Sequence, residues 1–352
     1  MNLFPIPAAD PLPLPAPVWL LQTLSVFTFV LHLVPMSLVL GGAFIAAWAM
    51  LRRNEPLARV LINTLPAATA MTITLGVAPL LFLQVLYGQF FYTSSILMAV
   101  PWMLVVPLLI VAYYGFYFNY FKSTPLSTVN VFVAVGASFA VLAVGFIYTS
   151  NSTLMLTPEL WPSLITGAST FGTTMNTAEL TLIPRYLHML LGAFAVTGLY
   201  LALRRFVRMG ALLFGAATLL NIGVGLWFLF SLPDNIRNLF LGGSGVHTAH
   251  LWVGVGIGLL AAMIAMAAIN APRPKPMIVA AAVSLLLTIA LMATVRHMVR
   301  QAYLAPYLDF HTVPVKPMWD VFALFAVVLV AGLAVVGWMI TQAVNATAPK
   351  RS

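Results

Sequence analysis

The sequence offers six imidazoles for chemistry, His32, His188, His247, His250, His297 and His311, in a chain without a single cysteine. That composition excludes disulfides, cysteine-ligated iron–sulfur clusters and covalently attached c-type haem, so any metal must take His, Met or oxygen donors. Most of these histidines stand in or at the ends of long apolar runs, where an ionisable side chain is either hydrogen-bonded packing or a working group. Arg185 precedes His188 by three residues, and Arg296 and Arg300 flank His297. Each grouping puts a metal donor and a cation within about one helical turn. A haem needs both: axial donors for its iron, and cationic or hydrogen-bonding partners for its propionates. Without a haem, the same arginines would snorkel to the membrane interface or contact phospholipid. His247 and His250 are three apart, on one face of a helix's first turn, and either could ligate iron. His250 lies deeper and is the expected ligand, while Ser244, His247 or Thr248 could instead cap the helix. His311 falls in a loop and reads as a surface residue. Met36, Met189 and Met298 neighbour histidines, but Met is common filler in apolar helices.

The elements that position these residues must be membrane spans. Of 352 residues, 62% are apolar and 7% charged, which excludes a water-soluble fold. Breaks at charged, Pro/Gly and polar clusters predict nine spans, at 18–50, 60–88, 94–121, 127–150, 181–204, 209–232, 247–270, 276–300 and 318–342. Each is long enough to cross a hydrocarbon layer of about 30 Å. The expected fold is therefore all-α, a polytopic transmembrane helical bundle of about nine spans. Residues 1–17 read as a Pro-rich extracytoplasmic tail without the basic start of a cleaved signal peptide, 18–344 as one transmembrane haem-binding domain, and 345–352 as a cytoplasmic tail. The formal charge of +9 comes from basic residues scattered through short loops, without the stripe or patch that binds nucleic acid. Alternating the loops puts Arg52, Arg53, Arg59, Lys122, Arg204, Arg205, Arg208, Arg273, Lys275, Lys350 and Arg351 on one side. Arg185, Arg237, Arg296, Arg300 and Lys316 fall on the other. The positive-inside rule then sets the N-terminus outside and the C-terminus in the cytoplasm of a multi-pass protein of the inner (cytoplasmic) membrane. In that orientation His188, His247, His250 and His297 all approach the outer face, although they come from spans running in both directions.

Several runs resemble subunit I of the cytochrome bd-type quinol oxidases, a nine-span haem family. Phe29 to Phe44 (FVLHLVPMSLVLGGAF) is similar to the family's first helix, in which a His followed by Val-Pro and a Gly-containing run ligates a haem of the oxygen-reducing pair; the resemblance gives that role to His32. Gly76 to Phe91 (GVAPLLFLQVLYGQFF) resembles the family's second-span segment, and Ile147 to Pro158 (IYTSNSTLMLTP) its region after the fourth span. His188 matches in order and depth the ligand of the low-spin haem. The family's second ligand to that haem is a seventh-span Met, but here Leu251 to Gly258 has Trp252 or Val253 at that place, which makes His250 the substitute. His297 to Tyr303 (HMVRQAY) is similar to an eighth-span segment in which His297 replaces a haem-ligating Glu and Arg300 matches the arginine. Two departures bear on function. Leu75 to Tyr148 holds no Asp or Glu, whereas the family has two third-span glutamates that carry protons. The quinol loop between spans six and seven shrinks to about fifteen residues around Pro233 to Val246.

The resemblance implies an oxidoreductase: a membrane b-type cytochrome with two or three haem b groups. It would oxidise quinol near the outer face and pass electrons to a partner cytochrome or second membrane subunit of a respiratory chain. His32, His188, His250 and His297 are the expected iron ligands, with Arg185, Arg296 and Arg300 as further haem-binding residues. Quinol oxidation releases two protons, for which Glu179, Asp234 and His247 are candidate acceptors. Three other readings stay open. One is an oxygen-reducing bd-like terminal oxidase drawing protons through hydroxyls such as Thr72 and Thr74 and the amide of Gln84. Another is a haem-free proton-coupled transporter using its histidines as relays. The third is an anchor subunit whose haems relay electrons for a catalytic partner.

Overall fold

The computed structural model describes residues 6–7, 12–122, 126–166, 172–243 and 245–347. Among them, nine helices are long and apolar enough to cross a membrane. They are α1 (Val18–Leu51), α2 (Glu55–Leu97), α3 (Ala99–Phe121), α4 (Thr128–Met155), α6 (Leu182–Leu203), α7 (Val207–Phe230), α9 (Val246–Ala267), α10 (Pro274–Leu304) and α11 (Trp319–Thr347). Two short helices, α5 (Trp161–Thr166) and α8 (Asp234–Leu241), lie in the connections. The chain is thus the expected all-α polytopic bundle, with α6, α7, α9, α10 and α11 as spans five to nine. Lys350, Arg351 and Ser244, which entered the orientation and capping arguments, lie outside the described residues, as do 1–5 and 8–11 of the N-terminal tail.

Helix boundaries differ from expectation where side chains or kinks decide them. Asn54 accepts the Leu57 amide at 3.3 Å and Pro56 occupies the first turn, so α2 begins at Glu55 rather than near residue 60. At its far end, α2 was expected to stop at Gly88. Instead the backbone kinks at Tyr87 (φ −137°, ψ 29°) and the helix resumes to Leu97. Its 43 residues measure about 65 Å, twice the hydrocarbon thickness, so the kinked end belongs to the layer beyond the lipid core. The sixth-to-seventh connection is also more ordered than a loop. Its helix α8 buries Ile236 and Phe240 against Leu229, Leu232 and Val299. Helix α9 starts at Val246 behind Gly245, without a side-chain cap, and the Thr248 hydroxyl donates to the Leu239 carbonyl. The alternative in which His247 or Thr248 caps the helix is therefore not formed: the backbone of Gly245, at φ 138°, makes the turn instead.

With lipid outside, helices associate through close packing of small residues, and the sequence supplies them. Alanines of α1, α2, α3, α4 and α6 form one core. Those of α6, α7, α9 and α10 form another. Gly198 and Gly210 let α6 and α7 touch backbone to backbone, and Gly41 of α1 sits so close to α6 that a Cβ there would lie 2.5 Å from Thr197 Oγ1. Helix α1 is central, packing on α2, α4, α6 and α10. On the face where α1 begins, here the N-terminal face, the long connection after α4 is pinned by polar contacts. The Asn176 amide donates to Ser150 Oγ at 2.9 Å and its side chain to Thr153 Oγ1 at 3.2 Å. Trp161 donates to the Leu154 carbonyl at 2.9 Å.

Candidate functional site

Three of the four expected iron ligands share one hydrogen-bond arrangement. His32, near the middle of α1, has Nδ1 2.9 Å from the Thr72 carbonyl of α2. In α6, His188 has Nδ1 3.3 Å from the Asn221 carbonyl of α7. His250 bonds through Nδ1 to the Val246 carbonyl of its own helix, at 2.8 Å. A carbonyl only accepts, so each Nδ1 carries the hydrogen and the neutral ring keeps its lone pair on Nε2. Metal-bound histidines are commonly oriented this way, one nitrogen donating to a carbonyl and the other facing the metal. Two glycines make room for these rings. A Cβ on Gly76 would lie 2.9 Å from the His32 ring, and one on Gly225 would lie 3.1 Å from His188 Cε1. His297 is different: it is buried, and neither ring nitrogen has a partner.

The arginines beside these histidines converge. Arg296 of α10 lies 4.6 Å from the centroid of the Phe29 ring, which itself meets the His32 ring at 6.4 Å. Its Nη2 donates to Ser152 Oγ of α4 at 3.3 Å. Arg300, one turn along, stands 5.4 Å over the ring of Tyr87 at the α2 kink. Arg185 of α6 lies 4.9 Å over Phe228 of α7, with its Nε and Nη2 buried and unpartnered. The three guanidinium groups interact electrostatically with one another. No ion pair joins any of them to an acid among the described residues. Glu179 acts on Arg185 only through space, its carboxylate instead accepting from Thr181 Oγ1 at 2.9 Å. By accessible surface the three side chains are partly buried, and Arg185 holds two buried guanidinium nitrogens without a partner; like charges clustered in this way favour a nearby anion.

The structure therefore brings together His32, Arg296, His297, Arg300 and Arg185, on α1, α6 and α10. It gives His188 a pocket against α7 and keeps His250 at the start of α9. No hydrogen bond or ion pair links the three expected proton acceptors among the described residues. Asp234 is exposed and ion-paired to Arg237 at 2.7 Å, His247 packs edge-on against Phe240, and Glu179 sits with Thr181. Asn221 and Gly225 were missed by sequence reasoning, and their residue types carry no signal, whereas Tyr87 and Ser152 lie in runs singled out for their resemblance without being named as site residues. Gly76 opens a run already singled out for its resemblance. No group of three or more His, Asp or Glu able to hold a bare metal ion occurs among the described residues. A haem, which takes one or two axial protein donors, needs no such group.

The residues present fit a haem on two counts: imidazoles whose Nε2 is free to ligate, and unpaired arginines suited to carboxylates. No protein-family model matches the chain, and no curated protein matches it in sequence.

Proposed function

We propose that this chain is a membrane b-type cytochrome, related in design to subunit I of bd-type quinol oxidases, that oxidises quinol near the N-terminal face and passes electrons to a partner redox protein or second membrane subunit. The observation that carries this is the shared orientation of His32, His188 and His250, each with Nδ1 on a backbone carbonyl and its Nε2 lone pair left for a metal. The arginines add the complementary half, since Arg185, Arg296 and Arg300 present donors to an anion such as a haem propionate. In this reading His188 with His250, and His32 with His297, supply donors, and Gly76 and Gly225 keep the rings in place. Haem supplies reversible one-electron chemistry. Of the basic side chains among the described residues, nine stand at the face opposite the N-terminus and five toward the N-terminal face, which supports an N-terminus outside and a site near the outer surface of the inner membrane.

An absorption spectrum of the purified protein, oxidised and dithionite-reduced, tests the proposal. A Soret band with sharp reduced α-bands is expected, and His188→Ala should remove a low-spin component. A preparation without a Soret band after expression with haem precursor would refute it. The oxidase reading is less favoured because α3 has no acid, and the Thr72 hydroxyl is committed to the Ala68 carbonyl at 2.7 Å rather than to a proton chain.

A further inference from the structure

A cavity of about 470 Å³ opens on the N-terminal face between the first turns of α1, the α2 kink, the end of α10 and the segment leading to α11. None of the expected site residues lines it. Its size is within the range of small-molecule sites, about 300–1,000 Å³. Trp19, 66% exposed in the first turn of α1, and Trp319 at the start of α11 mark this level as the membrane–water interface. One wall is apolar, made by Leu304, Leu308 and Phe310. Two neutral polar side chains face it, Gln22 of α1 and Gln301 of α10, with Tyr87 packed behind the lining. The Tyr87 hydroxyl is fully buried yet has no hydrogen-bond partner. On the solvent side stand Asp309 and His311, tied together by the His311 amide donating to Asp309 Oδ1 at 2.9 Å.

These features select a ligand class. An interfacial cavity with an apolar wall suits a ring carrying an apolar tail. Neutral donors and acceptors suit two uncharged ring oxygens, while Asp309, the one formal charge among the described lining residues, disfavours an anion. A carboxylate and an imidazole at the rim suit a ligand that gives up protons to water. Tyr87 also connects the cavity to the cationic cluster, with Phe310 edge-on at 5.6 Å and the Arg300 guanidinium at 5.4 Å from its ring.

We propose that this cavity is the quinol site, with Gln22 and Gln301 binding the head group and Asp309 and His311 accepting its protons. The assignment rests on the proposed cytochrome function and relocates the chemistry from Glu179, Asp234 and His247. Oxidation of one quinol to quinone gives up two protons and two electrons. Asp309 and His311 each take one proton, and the two electrons would leave one at a time to ferric haem, the oxidant that the proposed function would supply.

The test is equilibrium binding of decyl-substituted benzoquinone and naphthoquinone to the full chain in lipid nanodiscs, read by quenching of tryptophan fluorescence. Saturable quenching is expected. Gln22→Leu with Gln301→Leu should weaken it about tenfold, the scale of one to two neutral hydrogen bonds. Trp19→Phe, which alters an exposed side chain that the fold does not need, should remove a large share of the quenching amplitude. Asp309→Asn and His311→Gln should keep the affinity within about twofold and slow quinol oxidation. Glu55→Gln, on the opposite face, should change nothing. Unchanged affinity in the double variant and unchanged quenching in Trp19→Phe, with an intact haem spectrum, would overturn the site and leave the cytochrome standing. A loss of affinity confined to Asp234→Asn or His247→Gln would place the quinol at α8 and α9 and also overturn it. Quinone binding that depends on Gln22 and Gln301 in a protein without a Soret band would keep the site and sink the cytochrome.

Discussion

Arginine appears in two settings in this protein, at opposite faces of the same bundle. On the face away from the N-terminus, Arg53 donates to the Leu126 carbonyl at 2.8 Å, Arg59 pairs with Glu55 at 2.6 Å, and Arg204 lies over the Tyr200 ring. These side chains are exposed or close to turns, where water and lipid headgroups solvate charge at little cost. Toward the N-terminal face, Arg237 pairs with Asp234, but Arg185, Arg296 and Arg300 lie on helices, near one another, over aromatic rings and, among the described residues, without an ion-paired acid. The first set carries its charge where solvent can reach it. The second is a cluster of partly buried like charges, which an anion would stabilise. Residue type is the same in both, so neighbours decide the role.

The contrast can be broken by substitution. Arg296→Glu should have the largest effect: it places a carboxylate among the remaining arginines, satisfies them internally and repels an anionic ligand. Haem content per protein should fall by a factor of ten or more, the scale of one or two charge-assisted hydrogen bonds, as measured by pyridine haemochrome. Arg53→Ala, on the other face, should leave haem content unchanged, and equal loss from both variants would erase the distinction. A smaller effect is expected from Gly225→Ala. Its Cβ would crowd His188 at 3.1 Å, so the low-spin bands should shift or broaden while the protein stays folded. Arg205→Gly should act least. Arg205 has φ 81°, a left-handed conformation that costs a non-glycine residue roughly 1–2 kcal/mol. Glycine relieves that at an entropic cost of about 0.5–1 kcal/mol, so thermal stability in detergent should rise slightly with an unchanged spectrum.

All nine spans were legible in the sequence because apolar runs of this length have no other solvent to occupy, and a misplaced boundary does not alter their number. The errors fall where a local group overrides hydropathy. Asn54 starts α2 early, Tyr87 bends it without stopping it, and amphipathic α8 hides in a short connection. Of the candidate site, His188 with Arg185 and the α10 trio were visible because their partners are one turn apart in sequence. The carbonyls that orient His32 and His188 were not, since Thr72 and Asn221 act through their backbones and any residue type could do the same. The cavity at Tyr87 was equally hidden. Its lining comes from three distant stretches, and His311, read as a loop residue, gains meaning only from what stands across from it.

The last helix bears on how the molecule is made. Among the described residues, α11 packs closely on none of the other helices, meeting α2 through the Phe325 and Phe82 rings. What fastens its start is backbone: Leu14 donates to the Pro314 carbonyl at 2.8 Å, Lys316 to Leu14 at 2.9 Å and Met318 to Pro15 at 2.8 Å. Residues near the start of the chain are thus stitched to residues near its end, across some three hundred positions. During synthesis the segment around Leu14 must wait, unpaired, until eight spans have been inserted and the ninth begins. Closure of that stitch is a natural final step of assembly, and a chain ending before residue 314 would keep its bundle and lose its clasp.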